Sequence, residues 1–126
     1  MPRVLSVGQC GYDHGSISTQ LRRWASAEVV AAPTFKKALE ALRDAPFDLL
    51  LVNRVTDADG TRGLDLIRQL KADPDLAQVP VMLVSDYAEA QQEAQANGAL
   101  AGFGKSSLHA EETRQRVLDA LNVSKA

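Results

Sequence analysis

The chain is poor in cysteine, in proline and in long apolar runs. Cys10 is the single cysteine among 126 residues, so no intramolecular disulfide can form and a cysteine-based zinc site is not expected. No run approaches the roughly 18 apolar residues of a membrane span, and the apolar start, Val4-Leu5, is too short for a signal peptide. We therefore expect a protein of a reducing cytoplasm that does not enter a membrane.

The chain also lacks a surplus of either charge. Its 14 Lys and Arg residues stand against 16 Asp and Glu residues, a net charge of −2, which gives no argument for nucleic acid binding. Hydrophobic residues make up 45% and charged residues 24%, as in ordinary globular proteins. We expect a single domain over residues 1–126, either a monomer or a weak homodimer.

Short apolar runs alternate with longer amphipathic stretches. The runs are Val4–Val7, Glu28–Ala31, Leu49–Val52, Val81–Val84 and, more weakly, Ala99–Phe103. They are mostly unbroken, which is typical of parallel strands buried on both faces. The β-α alternation, repeated five times, predicts an α/β fold in which right-handed crossovers place helices on both faces of a parallel sheet. Residues 87–96, YAEAQQEAQA, favour a helix that buries little, which we expect to be mobile or stabilised by a partner.

The functional residues of such a sheet lie beyond the carboxyl ends of the strands. The residues there include Gly8, Gln9, Cys10, Asn53, Arg54, Ser85, Asp86, Gly104 and Lys105. Further motifs keep a fixed order: Asp48 before the third strand, Gly63-Leu64 opening the third helix, Pro80 before the fourth strand, and Gly98-Ala99 seven and six residues before Lys105. Together these motifs resemble the receiver domain of two-component response regulators. The resemblance implies a flavodoxin- or CheY-like (βα)5 fold with strand order 2-1-3-4-5.

The resemblance also implies a phosphorylation switch. In the family, an Asp that ends the third strand accepts a phosphoryl group from a histidine kinase, and two acidic residues after the first strand help it to hold Mg²⁺. A Ser or Thr after the fourth strand and a Lys after the fifth contact the phosphoryl oxygens. An aromatic residue three positions before that Lys reports the change.

This sequence departs from that pattern at most positions. The phosphoacceptor position holds Asn53, the acidic pair falls on Gly8 and Gln9, and only Ser85 and Lys105 keep the expected types. Mg²⁺ prefers carboxylate and water oxygens, and the lone pair of an amide nitrogen is delocalised into its carbonyl. We therefore expect a degenerate phosphorylation site, with no cofactor and no Mg²⁺. A hydrogen-bonded remnant joining Ser85, Asn53 and Lys105 is our hypothesis for its structure.

The family's partner face comprises the fourth helix, the fifth strand and the fifth helix, here about residues 87–121. Its aromatic position falls on Gly102, with Phe103 one residue later, and Ser106 stands where the family has proline. The residues that we expect to contact a signalling protein are Tyr87, Gln91, Gly102, Phe103 and Ser106. The interpretation is a pseudo-receiver of bacterial-type signalling, a non-enzymatic, phosphorylation-independent interaction module.

Two alternatives remain open for the loops. Asp57 and Asp59 lie in a loop two residues longer than is usual in the family and are weak candidates for a metal site with Gln9, although a turn is the preferred explanation for them. The glycine-rich stretch GQCGYDHGS after the first strand could instead bind a small ligand, namely flavin, cobalamin or phosphate. Aromatic residues for stacking on a flavin are scarce, and Asp13 or Ser16 is the expected N-cap of the first helix.

Overall fold

Strands and helices alternate along the whole of the computed structural model, which describes the backbone of residues 1–125 and the side chains of residues 1–121. The strands are β1 Arg3–Val7, β2 Glu28–Ala32, β3 Leu49–Asn53, β4 Val81–Val84 and β5 Leu100–Phe103. The helices are α1 Gly11–Ala25, α2 Phe35–Asp44, α3 Gly63–Ala72, α4 Ala88–Ala96 and α5 Glu111–Lys125. A short 3-10 turn, Lys105–Ser107, joins β5 to α5.

The five strands form one parallel sheet in the order β2-β1-β3-β4-β5. The predicted α/β class and strand order 2-1-3-4-5 are therefore confirmed. Because β3 lies between β1 and β4, the residue that ends β3 stands at the middle of the sheet's carboxyl edge. No helix over residues 1–125 is long and apolar enough to cross a membrane.

The core consists of two apolar layers, one on each face of the sheet. Leu5, Leu50 and Leu83 pack with α2, α3 and α4 on one face, whereas Leu49 and Leu51 pack with α1 and α5 on the other. Leu49–Val52 are fully buried. Two-sided burial explains why the strands read as unbroken apolar runs rather than as alternating patterns.

Helix α4 is anchored differently from the other helices. Of its nine residues, only Ala94 is buried, so it contributes little to the apolar layers. It ends at Ala96, with Asn97 at the C-cap and Gly98 at φ +102°, a conformation that glycine adopts at low cost. Its mobility stays a prediction.

The pairing of β4 with β5 contains an irregularity. Met82 pairs with Leu100, but Val84 pairs with Phe103, so β5 has one more residue than β4 between the two pairs. An extra residue in one strand is a β-bulge, which bends the strand and re-aims its side chains.

Candidate functional site

Asn53 holds the end of β3 to two neighbouring loops. Its side-chain Nδ2 donates to the Gly8 carbonyl at 3.1 Å and to the Val55 carbonyl at 2.8 Å. The Gly8 carbonyl also accepts from the backbone N–H of Asp57 at 2.9 Å. The amide is therefore a structural donor, and an aspartate at this position would bring its carboxylate against two carbonyl oxygens.

Gly8 stands where the family has an acidic residue, and its surroundings leave no room for one. Its φ is +76°, and a Cβ there would lie 2.7 Å from Thr56 Cγ2 and 3.0 Å from Thr56 Cα. Most side chains are strained at positive φ, and the Thr56 backbone cannot move aside freely. A side chain at position 8 is therefore disfavoured, because Thr56 occupies the space that its Cβ would need.

Residues 54–62, the Thr56 loop, fold over the ends of β1 and β3. Val55 and Arg62 form an antiparallel bridge, and the Thr56 backbone N–H donates to the Thr61 carbonyl at 2.8 Å. Thr56 is 1% exposed, although it belongs to a loop. The two additional residues noted in the sequence therefore supply a closed turn that covers this corner of the sheet.

Asp59 stabilises that turn. Its Oδ1 accepts from the Thr61 hydroxyl at 2.6 Å, from the Thr61 backbone N–H at 3.1 Å and from the Thr56 hydroxyl. The hydrogen bond from Thr56, followed by those from Thr61, lowers the pKa of the Asp59 carboxyl. The Asp59 carboxylate therefore stabilises the turn, as expected if Asp-Ala-Asp-Gly, residues 57–60, is a turn sequence.

The residues at this corner do not fit Mg²⁺. The three positions that would supply carboxylates hold Gly8, Gln9 and Asn53, and the Gly8 carbonyl already accepts two hydrogen bonds. Within the described part of the chain, no group of three or more His, Cys, Asp or Glu side chains could hold a metal ion. The weak candidates Asp57 and Asp59 are thus not joined by further acidic ligands. The Gln9 amide is buried and without a hydrogen-bond partner.

Lys105 pairs with a carboxylate that the sequence did not indicate as its partner. Its Nζ lies 2.7 Å from Asp13 Oδ2, and the hydrogen bond from Lys105 is the main reason that the pKa of Asp13 is lowered. The Ser85 hydroxyl instead accepts from the Tyr87 backbone N–H at 3.1 Å. The predicted Ser85–Asn53–Lys105 remnant is therefore wrong, because each of these three side chains bonds elsewhere.

The position of Asp13 follows from where α1 begins. The helix starts at Gly11 with Cys10 as its N-cap, and the Cys10 Sγ accepts from the Asp13 backbone N–H at 3.5 Å. The predicted N-caps Asp13 and Ser16 are wrong, since both lie inside the helix. In the first turn, Asp13 brings negative charge to the end of the helix that would otherwise attract a phosphate. The glycine-rich loop is thus poorly suited to the phosphate of a flavin or of another small ligand.

Two of the five predicted contact residues are exposed. Tyr87 is 61% exposed, and its ring lies 4.8 Å from the Arg54 guanidinium carbon in a cation–π contact. Ser106 is exposed, and its hydroxyl donates to Asp86 Oδ1 at 2.6 Å. These two side chains are placed where a partner could contact them.

The other three do not offer side chains to a partner. Gly102 is buried and Phe103 is 3% exposed, because the bulge in β5 directs the Phe103 ring into the layer beside α1 and α5. The Gln91 side chain turns toward the sheet and donates to the Leu83 carbonyl at 2.8 Å. Gln91, Gly102 and Phe103 are therefore structural residues of this face.

Asn53, Ser85 and Lys105 remain neighbours even though they do not bond to one another. They line a shallow cleft of about 350 Å³, together with Arg54, Val55, Val84, Asp86 and Tyr87. The Asn53 amide donates to two backbone carbonyls and the Lys105 side chain pairs with Asp13, so among the described contacts neither is hydrogen-bonded to the Ser85 hydroxyl.

Known proteins resemble this chain in structure but not closely in sequence. No protein-family model matches the chain, and no curated protein matches it. The signal receiver domain of a DNA-binding response regulator from Colwellia psychrerythraea 34H is similar, with a TM-score of 0.81 and 17% identity over 97% of this chain and 99% of that one. The receiver domain of Francisella response regulator 1452 is also similar, with a TM-score of 0.81 and 20% identity over 98% of this chain and 99% of that one.

A response regulator from Thermotoga maritima is also similar, with a TM-score of 0.78 and 20% identity over 97% of this chain and 98% of that one. All three likenesses extend over nearly the full length of both chains, so they compare whole folds rather than a shared fragment. At this level of identity they establish architecture alone. The chain has the receiver-domain fold, the CheY-like (βα)5 arrangement that the family resemblance implied.

Proposed function

We propose that this chain is a response-regulator-type receiver domain that acts in signal transduction without aspartyl phosphorylation, as a protein-interaction module. One observation carries the proposal: Thr56 fills the space that a Cβ at position 8 would need, so no carboxylate side chain fits there. The Asn53 amide supports it, because its donors are already bonded to two backbone carbonyls. With Gly8, Gln9 and Asn53 in place of carboxylates, the site has neither a phosphoryl acceptor nor ligands for Mg²⁺.

The proposal assigns the contacts to the face formed by α4, β5 and the start of α5. Tyr87 and Ser106 are its exposed predicted contacts, and a half-exposed tyrosine supplies a large contact area at a low entropic cost. The partner is a signalling protein rather than a nucleic acid or a membrane. The domain needs no cofactor, catalyses no reaction and works in the cytoplasm as a monomer or a weak homodimer.

The first test concerns phosphorylation. The protein is incubated with acetyl phosphate and Mg²⁺ and its intact mass is measured, alongside the Asn53→Asp variant. We expect no phosphoryl adduct on the native chain and at most a trace on the variant, because Gly8 and Gln9 still supply no carboxylate. A stable adduct on any aspartate of the native protein would overturn the proposal.

The second test concerns the partner face. Tyr87→Ala and Tyr12→Ala are compared as baits in extracts of the source cell, because Tyr12 is a still more exposed tyrosine on α1, 82% exposed. We expect Tyr87→Ala to lose the bound signalling protein and Tyr12→Ala to retain it, with no effect of added acetyl phosphate. The reverse pattern would place the interaction elsewhere.

A further inference from the structure

The bulge in β5 centres on Gly102, a residue that no other amino acid could replace without rearrangement. A Cβ at this position would overlap the Leu83 carbonyl oxygen and would lie 2.9 Å from Gln91 Oε1. A residue in a bulge loses regular pairing with the neighbouring strand, and a buried backbone group left unpaired is costly. The backbone groups of Gly102 therefore need partners from outside the ladder.

Two side chains from different helices supply those partners. The Gly102 backbone N–H donates to Gln91 Oε1 of α4 at 3.2 Å, and its carbonyl accepts from Arg116 Nη1 of α5 at 2.6 Å. Arg116 is itself held by Glu112, one helical turn earlier. A single glycine of β5 thus links the helix on one side of it to the helix on the other.

The Gln91 amide reaches β4 as well. Its Nε2 donates to the Leu83 carbonyl at 2.8 Å and to the Ser85 carbonyl at 3.1 Å. Because α4 buries only Ala94, these hydrogen bonds form much of the attachment between this helix and the sheet. A side-chain amide can make both kinds of hydrogen bond, since its oxygen accepts from the Gly102 N–H of β5 while its nitrogen donates to the Leu83 and Ser85 carbonyls.

We infer that Gly102, Gln91 and Arg116 form a clamp that fixes α4, β5 and α5 in one arrangement. This inference deepens the proposed function and rests on it, because the face assigned to partners is then held in a binding arrangement without a phosphoryl group. A second link supports it independently: Ser106 donates to Asp86 through its hydroxyl at 2.6 Å and its backbone N–H at 3.3 Å. That link ties the loop after β4 to the loop after β5.

The test is amide hydrogen exchange followed residue by residue by NMR, on the whole chain and without any partner. Gln91→Leu is compared with Gln92→Leu, which changes the adjacent, exposed glutamine of the same helix. We expect Gln91→Leu to speed exchange at the Gly102 amide and throughout α4 by about tenfold or more. Gln92→Leu should leave both unchanged. Equal exchange rates in the two variants would overturn the clamp.

Arg116 provides a second variant that does not depend on the buried amide. Arg116→Met should shift the resonances of Gly102 and of α4, although Arg116 lies on α5, whereas Arg114→Met should not, because Arg114 pairs only with Glu111 among the described contacts. The effects of Gln91→Leu and Arg116→Met on stability should also be non-additive, since both act on one residue. Additive effects, or no change on α4, would reject the inference.

The outcomes separate the inference from the proposed function. A phosphoryl adduct would remove the proposed function and leave the exchange results standing. An amide exchange rate that is unchanged in Gln91→Leu would reject the clamp. The absence of a phosphoryl adduct would then still support a phosphorylation-independent domain.

Discussion

The two halves of the sheet's carboxyl edge, at β1–β3 and at β4–β5, are held by different kinds of contact. In the β1–β3 half, the positions that would carry acids hold Gly8 and Asn53, and Thr56 covers them. In the β4–β5 half, Ser85 and Lys105 keep their types, and cross-links join the loops and helices to one another. The comparison shows two ways of holding one sheet edge: a backbone turn around Thr56 closes the β1–β3 half, whereas side-chain hydrogen bonds join the loops and helices of the β4–β5 half.

The largest effect should come from forcing a side chain into the β1–β3 half. Gly8→Ala should lower the free energy of unfolding by about 2–4 kcal/mol, because it combines positive φ with a clash against Thr56. Gly15→Ala is the matched control: no atom lies within 4 Å of its Cβ position, and an alanine inside α1 should stabilise by about 0.5–1 kcal/mol. The free energies of unfolding of both variants are measured by urea unfolding. Similar changes in the two would show that a Cβ fits at position 8 without a clash.

The next effect concerns charge at the end of β3. Asn53→Asp should destabilise by about 1–3 kcal/mol at neutral pH, because a carboxylate replaces a donor to two carbonyls. Those carbonyls should raise the pKa of the new carboxyl in the folded state, so the loss should be absent below the ordinary carboxyl pKa of about 4 and should grow as the pH rises from there through the raised folded pKa. Gln92→Glu, at an exposed position of α4, is the control and should show little pH dependence. A variant as stable as the native chain at neutral pH would contradict our view of Asn53.

A smaller effect should appear at Gln9, beside the closed corner. Its amide nitrogen and oxygen are buried without hydrogen bonds, so Gln9→Met should raise the free energy of unfolding by about 1 kcal/mol. Gln92→Met, at an exposed position, should change it by less than about 0.5 kcal/mol. A clear loss of stability in Gln9→Met would mean that the amide has a role that its contacts do not reveal.

The smallest effect should come from the ion pair that joins the two halves. Asp13→Asn should cost about 0.5 kcal/mol at neutral pH, since Lys105 is 41% exposed and solvent screens the pair. The pKa of Asp13 is lowered in the folded protein, so the pair stabilises above the ordinary value of 3.8 and loses its effect as the pH falls through the folded pKa. The free energies of unfolding of the native chain and of Asp13→Asn should therefore become equal well below pH 3.8. A difference in free energy of unfolding that grows as the pH falls would contradict the stabilising role of the Asp13–Lys105 pair.

The fold could be predicted because burial on both faces leaves a direct trace in the sequence. Leu49–Val52 are apolar without interruption since every one of them is covered, and the position of Asn53 followed from the end of that run. That positions 8, 9 and 53 hold no carboxylate was equally visible. The steric restriction at Gly8 was not, because it depends on the φ of Gly8 and on the path of the Thr56 loop.

Side-chain partners were the weakest part of the prediction. Sequence spacing does not tell which carboxylate a long lysine reaches, and Asp13 was assigned to a cap because α1 was expected to begin later. Phe103 was assigned to the surface because the bulge that turns it inward has no clear sequence pattern apart from its glycine. Gln91 was taken as exposed since glutamine usually is, although its hydrogen bonds lie toward the sheet.

The Thr56 loop has a consequence for how the domain depends on its surroundings. A bound cation stabilises a protein to an extent that follows its free concentration, whereas a segment of the same chain is present at a fixed effective concentration. Thr56 is such a tethered occupant of the corner beside Gly8. Under the proposed function, the arrangement of the contact face therefore does not depend on the concentration of magnesium or of a phosphodonor.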